Sequence, residues 1–116
     1  MKVLLDHNLS EHLAAMLLNH EVFTAKQLLW DGLKNGDLLA AAEEAGFAAM
    51  LTADQNLWYQ QNNANRRISL VVVNTNRLAI LALHIESLAS ALVRALPGTY
   101  EFIELVPTRK RRRGQP

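Results

Sequence analysis

The sequence predicts an α/β fold built on a mostly parallel sheet. Short apolar runs alternate with segments of helical periodicity, the pattern of strands joined by crossover helices. One run, Leu70-Val71-Val72-Val73, is apolar at four consecutive positions, which suits a strand covered on both faces. Two other runs lead into aspartate: Val3-Leu4-Leu5 into Asp6, and Ala48-Ala49-Met50-Leu51-Thr52 into Asp54. The carboxyl ends of parallel strands face a common crevice, so these aspartates are candidates for one site.

The elements follow in order. Lys2–Leu5 reads as a short buried strand. Ser10 is placed to cap a helix whose apolar face is Leu13, Met16, Leu17 and Leu18. Glu21–Thr24 is a second strand, followed by a helical turn over Ala25–Leu29 that Trp30-Asp31-Gly32 ends. Asn35 caps a helix through Leu38, Leu39, Ala42 and Ala45, and Gly46 sits where a helix reverses into the left-handed region. Phe47–Thr52 is the third strand. Asp54 then caps a helix through Leu57, Trp58 and Gln61, with a polar loop up to Asn65. Ile68–Val73 is the fourth strand. Arg77–Ala95 is predicted as the longest helix, with Leu81, Ile85, Leu88 and Leu92 on its buried face. Pro97-Gly98 stops it, and Tyr100–Val106 alternates as a half-exposed edge strand. Trp30 and Trp58 read as partly buried covers over the core.

At 116 residues and 50% apolar content the chain is one domain with a real core. There is no cysteine, which excludes disulfides, zinc–thiolate centres and a cysteine nucleophile, and agrees with a reducing cytoplasm. No signal-peptide pattern opens the chain, and His84, Glu86 and Ser87 interrupt the longest apolar stretch, so a cytoplasmic protein without a membrane span is expected. The net charge of +1 hides an asymmetry. Residues 1–108 hold seven basic and eleven acidic groups, a formal −4, while Arg109, Lys110, Arg111, Arg112 and Arg113 stand together. The organisation expected is a domain over 1–106 and a basic, disordered tail over 107–116, able to contact phosphates.

The chemistry centres on Asp6, Asp54 and Asp37, the last in the first turn of the helix opened by Asn35. Three carboxylates in one crevice would make a hard, oxygen-rich pocket for a divalent cation. Singly, each is also what an N-cap, an Asx-turn or the helix dipole requires. Asn8, Asn35 and Asn56 lie two residues from these aspartates, and Asn74 and Asn76 end the fourth strand. Such amides orient carboxylates or bound water. Arg66, Arg67 and Arg77 flank the fourth strand and suit a phosphate. His7, next to Asp6, is a candidate phosphate contact or proton shuttle, although adjacent residues on a strand point apart. No glycine-rich phosphate loop, dinucleotide fingerprint or serine–histidine nucleophile arrangement is present. A receiver-like or phosphatase site would need a lysine after a late strand, which the sequence lacks.

At these residues the chain resembles the PIN-like domains of the small bacterial family DUF5615, related to the Mut7-C PIN-like domains. The matching pieces are Leu4-Leu5-Asp6-His7-Asn8-Leu9, Gly32 after Trp30, Asn35-Gly36-Asp37-Leu38-Leu39, and Thr52-Ala53-Asp54-Gln55-Asn56. Tyr59-Gln60-Gln61-Asn62 followed by Arg67, and Asn76 after the fourth strand, look like one subgroup. The resemblance covers roughly residues 2–105.

It implies a PIN-like three-layer α/β/α sandwich and a Mg²⁺- or Mn²⁺-dependent endoribonuclease, often the toxin of a toxin–antitoxin pair. Asp6, Asp37 and Asp54 would be its catalytic, metal-binding positions, and Asn8, Asn35, Asn56 and Asn76 their supports. Arg67, Arg77 and His7 would contact RNA. Partners would be RNA, an antitoxin protein or a second copy in a homodimer. The chain departs from the family at His7 and Asn35, where many members are acidic, and at Asn74 or Asn76, near a common fourth carboxylate. The other reading is a catalytically degenerate PIN-like module acting by protein binding or dimerisation. Two or three carboxylates hold Mg²⁺ weakly without substrate phosphate.

Overall fold

A computed structural model describes residues 1–33, 35–55 and 66–107. The described elements are β1 (Lys2–Leu5), α1 (His12–Met16), β2 (Glu21–Thr24), α2 (Asn35–Glu44), β3 (Ala49–Thr52), β4 (Ser69–Val73), α3 (Leu78–Leu83), α4 (Ile85–Arg94) and β5 (Tyr100–Ile103). The expected helix from Asp54 through Trp58 and Gln61 falls largely on 56–65, outside the described residues, as does the tail from 108 onward.

The five strands form one sheet in the order β2-β1-β3-β4-β5, and every pairing is parallel. β3 and β4 are buried along their whole length, in keeping with strands that are apolar except for Thr52 and Ser69. The edge strands β2 and β5 are more open and carry the charged residues Glu21 and Glu101.

Alternation along the strands divides the core in two. Val3, Leu5, Ala49, Leu51, Val71 and Val73 face α1, α3 and α4, where they meet Leu13, Leu81, Leu88, Ala91 and Leu92. Leu4, Met50 and Leu70 face the other way, against Leu38, Leu39 and Ala42 of α2. Helices therefore cover both faces of the sheet, in three layers. The β1–β2 and β4–β5 connections step in opposite directions with their helices on one face, so they have opposite hands. One of them thus departs from the right-handed rule for parallel crossovers.

Local differences from expectation have local causes. α1 is five residues long, and Ser10 accepts the His12 N–H at 3.2 Å from just outside it. Leu17 is buried but Leu18 is 85% exposed, because the helix has already ended. The predicted long helix breaks at His84, whose φ/ψ of −112°/25° leaves the helical region. Leu81, Leu88 and Leu92 still share one core across the break.

Two helical ends are built alike on different residues. After α2, Phe47 N–H bonds the Ala42 carbonyl at 2.9 Å and Gly46 N–H that of Glu43 at 3.1 Å, with Gly46 at φ 88°. In the turn after β2, Trp30 N–H bonds Ala25 at 2.8 Å and Leu29 N–H bonds Lys26 at 3.0 Å, with Leu29 at φ 62°. Both are Schellman closures, each with its aromatic residue folded over the α2 core. Leucine in the left-handed region costs about 1 kcal/mol that glycine does not. Leu29 is 86% exposed, so its side chain offsets little of this. Leu29→Gly is therefore expected to raise the unfolding free energy by up to about 1 kcal/mol in urea denaturation.

A crevice at the carboxyl edge of the sheet

In a sheet of this order the chain leaves β1 toward β2 and returns past β1 to β3, so β1 and β3 border the switch point. Open parallel sheets bind ligands beyond the carboxyl ends of such strands. Asp6 follows β1 there. Parallel register sets Leu5 opposite Leu51, and Asp6 N–H continues the ladder to the Leu51 carbonyl at 3.0 Å. Asp6 and Thr52 therefore come side by side, both on the α2 face.

Thr52 is the hub of a hydrogen-bond network at this edge. It is fully buried, and its hydroxyl donates to Asp6 Oδ2 at 2.6 Å. The same oxygen accepts the Asp54 N–H at 3.0 Å and the Asn8 amide at 3.4 Å. Asn8 Oδ1 in turn accepts the Ala53 N–H at 3.1 Å. Asp6 Oδ1 accepts the His7 N–H at 2.7 Å. A carboxylate offers about four lone-pair positions, so two bonds orient Asp6 and leave capacity toward solvent. This network ties the loop after β1 to the loop after β3.

The other candidates divide by edge. α2 runs from the carboxyl end of β2 to the amino end of β3, so Asp37 in its first turn belongs to the same edge as Asp6. His7 Nε2 donates to the Leu33 carbonyl at 3.0 Å, which joins the segment before α2 to the loop after β1. Asp37 itself is exposed and lines a shallow groove along α2 with Leu33, Ala40, Ala41, Glu43, Glu44 and Arg67. Among the described residues no three of His, Asp and Glu stand together as a group that could hold a metal ion. Arg77 and Asn76, both exposed, follow β4 at the carboxyl edge. Asn56 lies outside the described residues.

Arg67 does not join this edge. It precedes β4, and the length of that strand, about 16 Å, separates it from the crevice. There Glu43 of α2 accepts the Arg67 N–H and, at 3.2 Å, the Ile68 N–H, and lies 3.8 Å from the Arg66 guanidinium. Asn74 also has another use: its side chain binds the backbone of Leu105 and Val106. No family model, curated protein or solved structure matches this chain.

Thr52, Glu43 and the binding partners of Asn74 are not singled out by the sequence pattern. A signal for Thr52 exists, since a hydroxyl ends an otherwise apolar strand two residues from Asp54. Glu43 gives none, because its partners lie 24 and 25 residues away.

The Arg67 N–H foremost, then that of Ile68 and the Arg67 and Arg66 charges, lower the Glu43 pKa against the opposing effect of burial. A depressed carboxylate contributes stability above its unfolded pKa and loses it as pH falls through the folded value. Below the ordinary value of 4.5, stability should therefore fall more steeply in the parent than in Glu43→Gln. Urea midpoints between about pH 5 and pH 2 read this, and equal slopes would remove the assignment.

The side-chain groups that the network holds at the crevice are oxygen donors, the Asp6 carboxylate and the Asn8 amide oxygen, with Asp54 bound through its backbone N–H. They suit a hard cation of the Mg²⁺ type, which commonly keeps several waters and binds through one or two carboxylates plus substrate phosphate.

Proposed function

We propose that the protein is a Mg²⁺- or Mn²⁺-dependent ribonuclease of PIN type. The observation that carries this reading is the Asp6–Thr52–Asp54 network at the switch point of the sheet. It fixes the Asp6 carboxylate by two hydrogen bonds and holds the Asp54 backbone to the same hydroxyl, at the usual place for a ligand in such sheets.

In this reading Asp6 and Asp54 would hold the cation, with Asp37 at the same edge of the sheet but not grouped with them. When bound, the cation supplies a water of lowered pKa and positive charge for the developing phosphoryl oxygens. Thr52 aims Asp6, and Ala53 N–H holds the Asn8 carbonyl toward the loop. Arg77 meets phosphate from the end of β4. His7, held to Leu33, is placed beside Asp6 to contact a phosphate or pass a proton. A toxin role, with an antitoxin covering the crevice, rests on the family resemblance.

Asp6→Asn tests the reading. It keeps the shape and loses the charge, so metal-dependent cleavage of single-stranded RNA should fall at least about 10²-fold while the circular dichroism spectrum is kept. Full activity in that variant would remove the assignment.

One observation favours a second reading, a PIN-like module acting by protein contact or dimerisation: among the described residues no three acidic groups assemble. Thermal melting under Mn²⁺ separates the two. A working site raises Tm by mass action as Mn²⁺ approaches millimolar, and a binding module does not respond.

A further inference from the structure

The two outer strands of the sheet present different edges. Glu21 N–H bonds the Met1 carbonyl, so Glu21 and Phe23 turn their main-chain groups toward β1, and Val22 and Thr24 turn theirs outward. Gln27 Oε1 accepts the outward N–H of Thr24 at 2.9 Å, so a side chain of the same molecule closes the end of that edge. Such blunting resists the addition of another strand. On the other side, Leu70 N–H bonds the Thr99 carbonyl at 2.9 Å, which turns Thr99, Glu101 and Ile103 toward β4 and leaves the N–H and carbonyl of Phe102 facing outward. No described residue bonds either group. Phe102 is 39% exposed, and neither a proline, a lysine nor a bulge interrupts Tyr100–Ile103.

One face of this edge is bordered by α4. Glu86, Ser87, Ser90 and Arg94 are all exposed and line a groove with Ile103. α4 leads back to the start of β5, so this stripe is acidic toward the carboxyl edge, basic toward the amino edge, and has serines between. Arg94 binds Glu101 at 2.5 Å, which sets the level of the helix against the strand. Ser90 is one turn back, about 6 Å nearer the carboxyl edge, between the levels of Phe102 and Ile103. The middle of the stripe and the middle of the open edge therefore stand at nearly one level, with Glu86 and Arg94 about 6 Å to either side.

A two-fold axis at that level makes the surface complementary to itself. Phe102 comes opposite its own copy in an antiparallel pair that exchanges both main-chain hydrogen bonds. The five-stranded sheet continues into ten strands, and the two α4 helices lie antiparallel, about 10 Å apart. Glu86 of each copy then meets Arg94 of the other, and the serines between them allow the helices to close.

We propose that the β5 edge and the α4 stripe are the interface of a symmetric homodimer, joined through antiparallel β5 strands. Charge complementarity selects a second copy as the occupant: reversed in direction, the stripe offers a base to Glu86 and an acid to Arg94 at matching spacing. The interface goes beyond the ribonuclease reading and does not rest on it, because neither β5 nor α4 supplies a residue of the crevice.

Sedimentation velocity of the full chain should show a monomer–dimer equilibrium in the micromolar range, as suits a small interface. Glu86→Arg places like charges at both ends of the interface, and so does Arg94→Glu. Each variant alone should dimerise at least about tenfold more weakly. An equimolar mixture of the two restores both attractions and should dimerise at nearly the strength of the parent, which two misfolded chains would not do. A mixture no stronger than either variant alone overturns the proposal.

Hydrogen exchange reads the strand pairing. Protection of the Phe102 amide should rise with protein concentration, while that of Val22 at the β2 edge stays constant. No rise at Phe102, or a rise at Val22 in its place, overturns the pairing. A chain still monomeric at about 0.5 mM overturns the dimer and gives the β5 edge to another protein. Protection of Phe102 that is independent of concentration and lost in a chain ending at Pro107 overturns it too, in favour of the chain's own C-terminal residues.

Discussion

Thr52→Val is expected to lower the unfolding free energy by about 2–3 kcal/mol, although the two side chains have nearly the same shape. Thr52 is fully buried, so the substitution leaves packing intact and removes only the hydroxyl. Three groups then lose a partner: Asp6 Oδ2, the Asp54 N–H and the Asn8 amide. A hydrogen bond to a charged group contributes about 1.5–3 kcal/mol, and a partner left unsatisfied in a partly buried site adds to the loss. Urea denaturation with an unchanged m value measures it. Thr52→Ser is the control, because it keeps the hydroxyl and loses one methyl. If Val proves no worse than Ser, the network does not hold the two loops together. In the ribonuclease reading, Val should also weaken Mn²⁺ binding by about 10–100-fold, the usual loss when the group that orients a ligand is removed.

Gly98→Ala is expected to cost about 3 kcal/mol. Gly98 has φ 74°, and an added Cβ would lie 2.5 Å from the Arg66 carbonyl oxygen. The left-handed backbone costs a residue with a Cβ about 1 kcal/mol, and a forced clash with a backbone atom adds about 1–3 kcal/mol. The obstructing atom cannot swing aside as a flexible side chain would. Gly98 N–H also bonds the Arg67 carbonyl at 3.0 Å, so displacement would disturb the entry to β4 and β5 together. Gly46→Ala isolates the first cost: φ is 88° but nothing lies within 4 Å of the new Cβ. It should lose only about 1 kcal/mol. Equal losses at the two positions would show that the contact with Arg66 is relieved by relaxation.

The site can be divided in the same physical terms. Asp6 and Asp54 are legible because a carboxylate ending an apolar strand is a local pattern. Gly46 is legible because a helix that must reverse favours a residue without a Cβ. The basic run at Arg109–Arg113 is visible as charge alone. The place of Arg67 is not legible, because flanking a strand does not say which groups a residue meets; the fold sets it at the amino end of β4, in the groove it shares with Asp37. Asn74 reads locally as a support of the crevice, whereas its three bonds go to a segment more than thirty residues later. His84 breaks a helix whose apolar period continues through it, so periodicity alone could not show the break.

Residue order was enough to establish the alternation of strands and helices, the two faces of each strand and the aspartates at strand ends. Each depends on neighbours within a few positions, where backbone geometry imposes periods of 2 and 3.6. Only the folded chain decided that β1 lies beside β3, that β5 is parallel, and that Thr52 meets Asp6 across 46 residues. Those neighbours are selected by the sum of packing over both faces of the sheet, and no short stretch of residues contains that sum. The crevice belongs to this second kind of fact: its aspartates are local, and the hydroxyl that joins them comes from the tertiary fold.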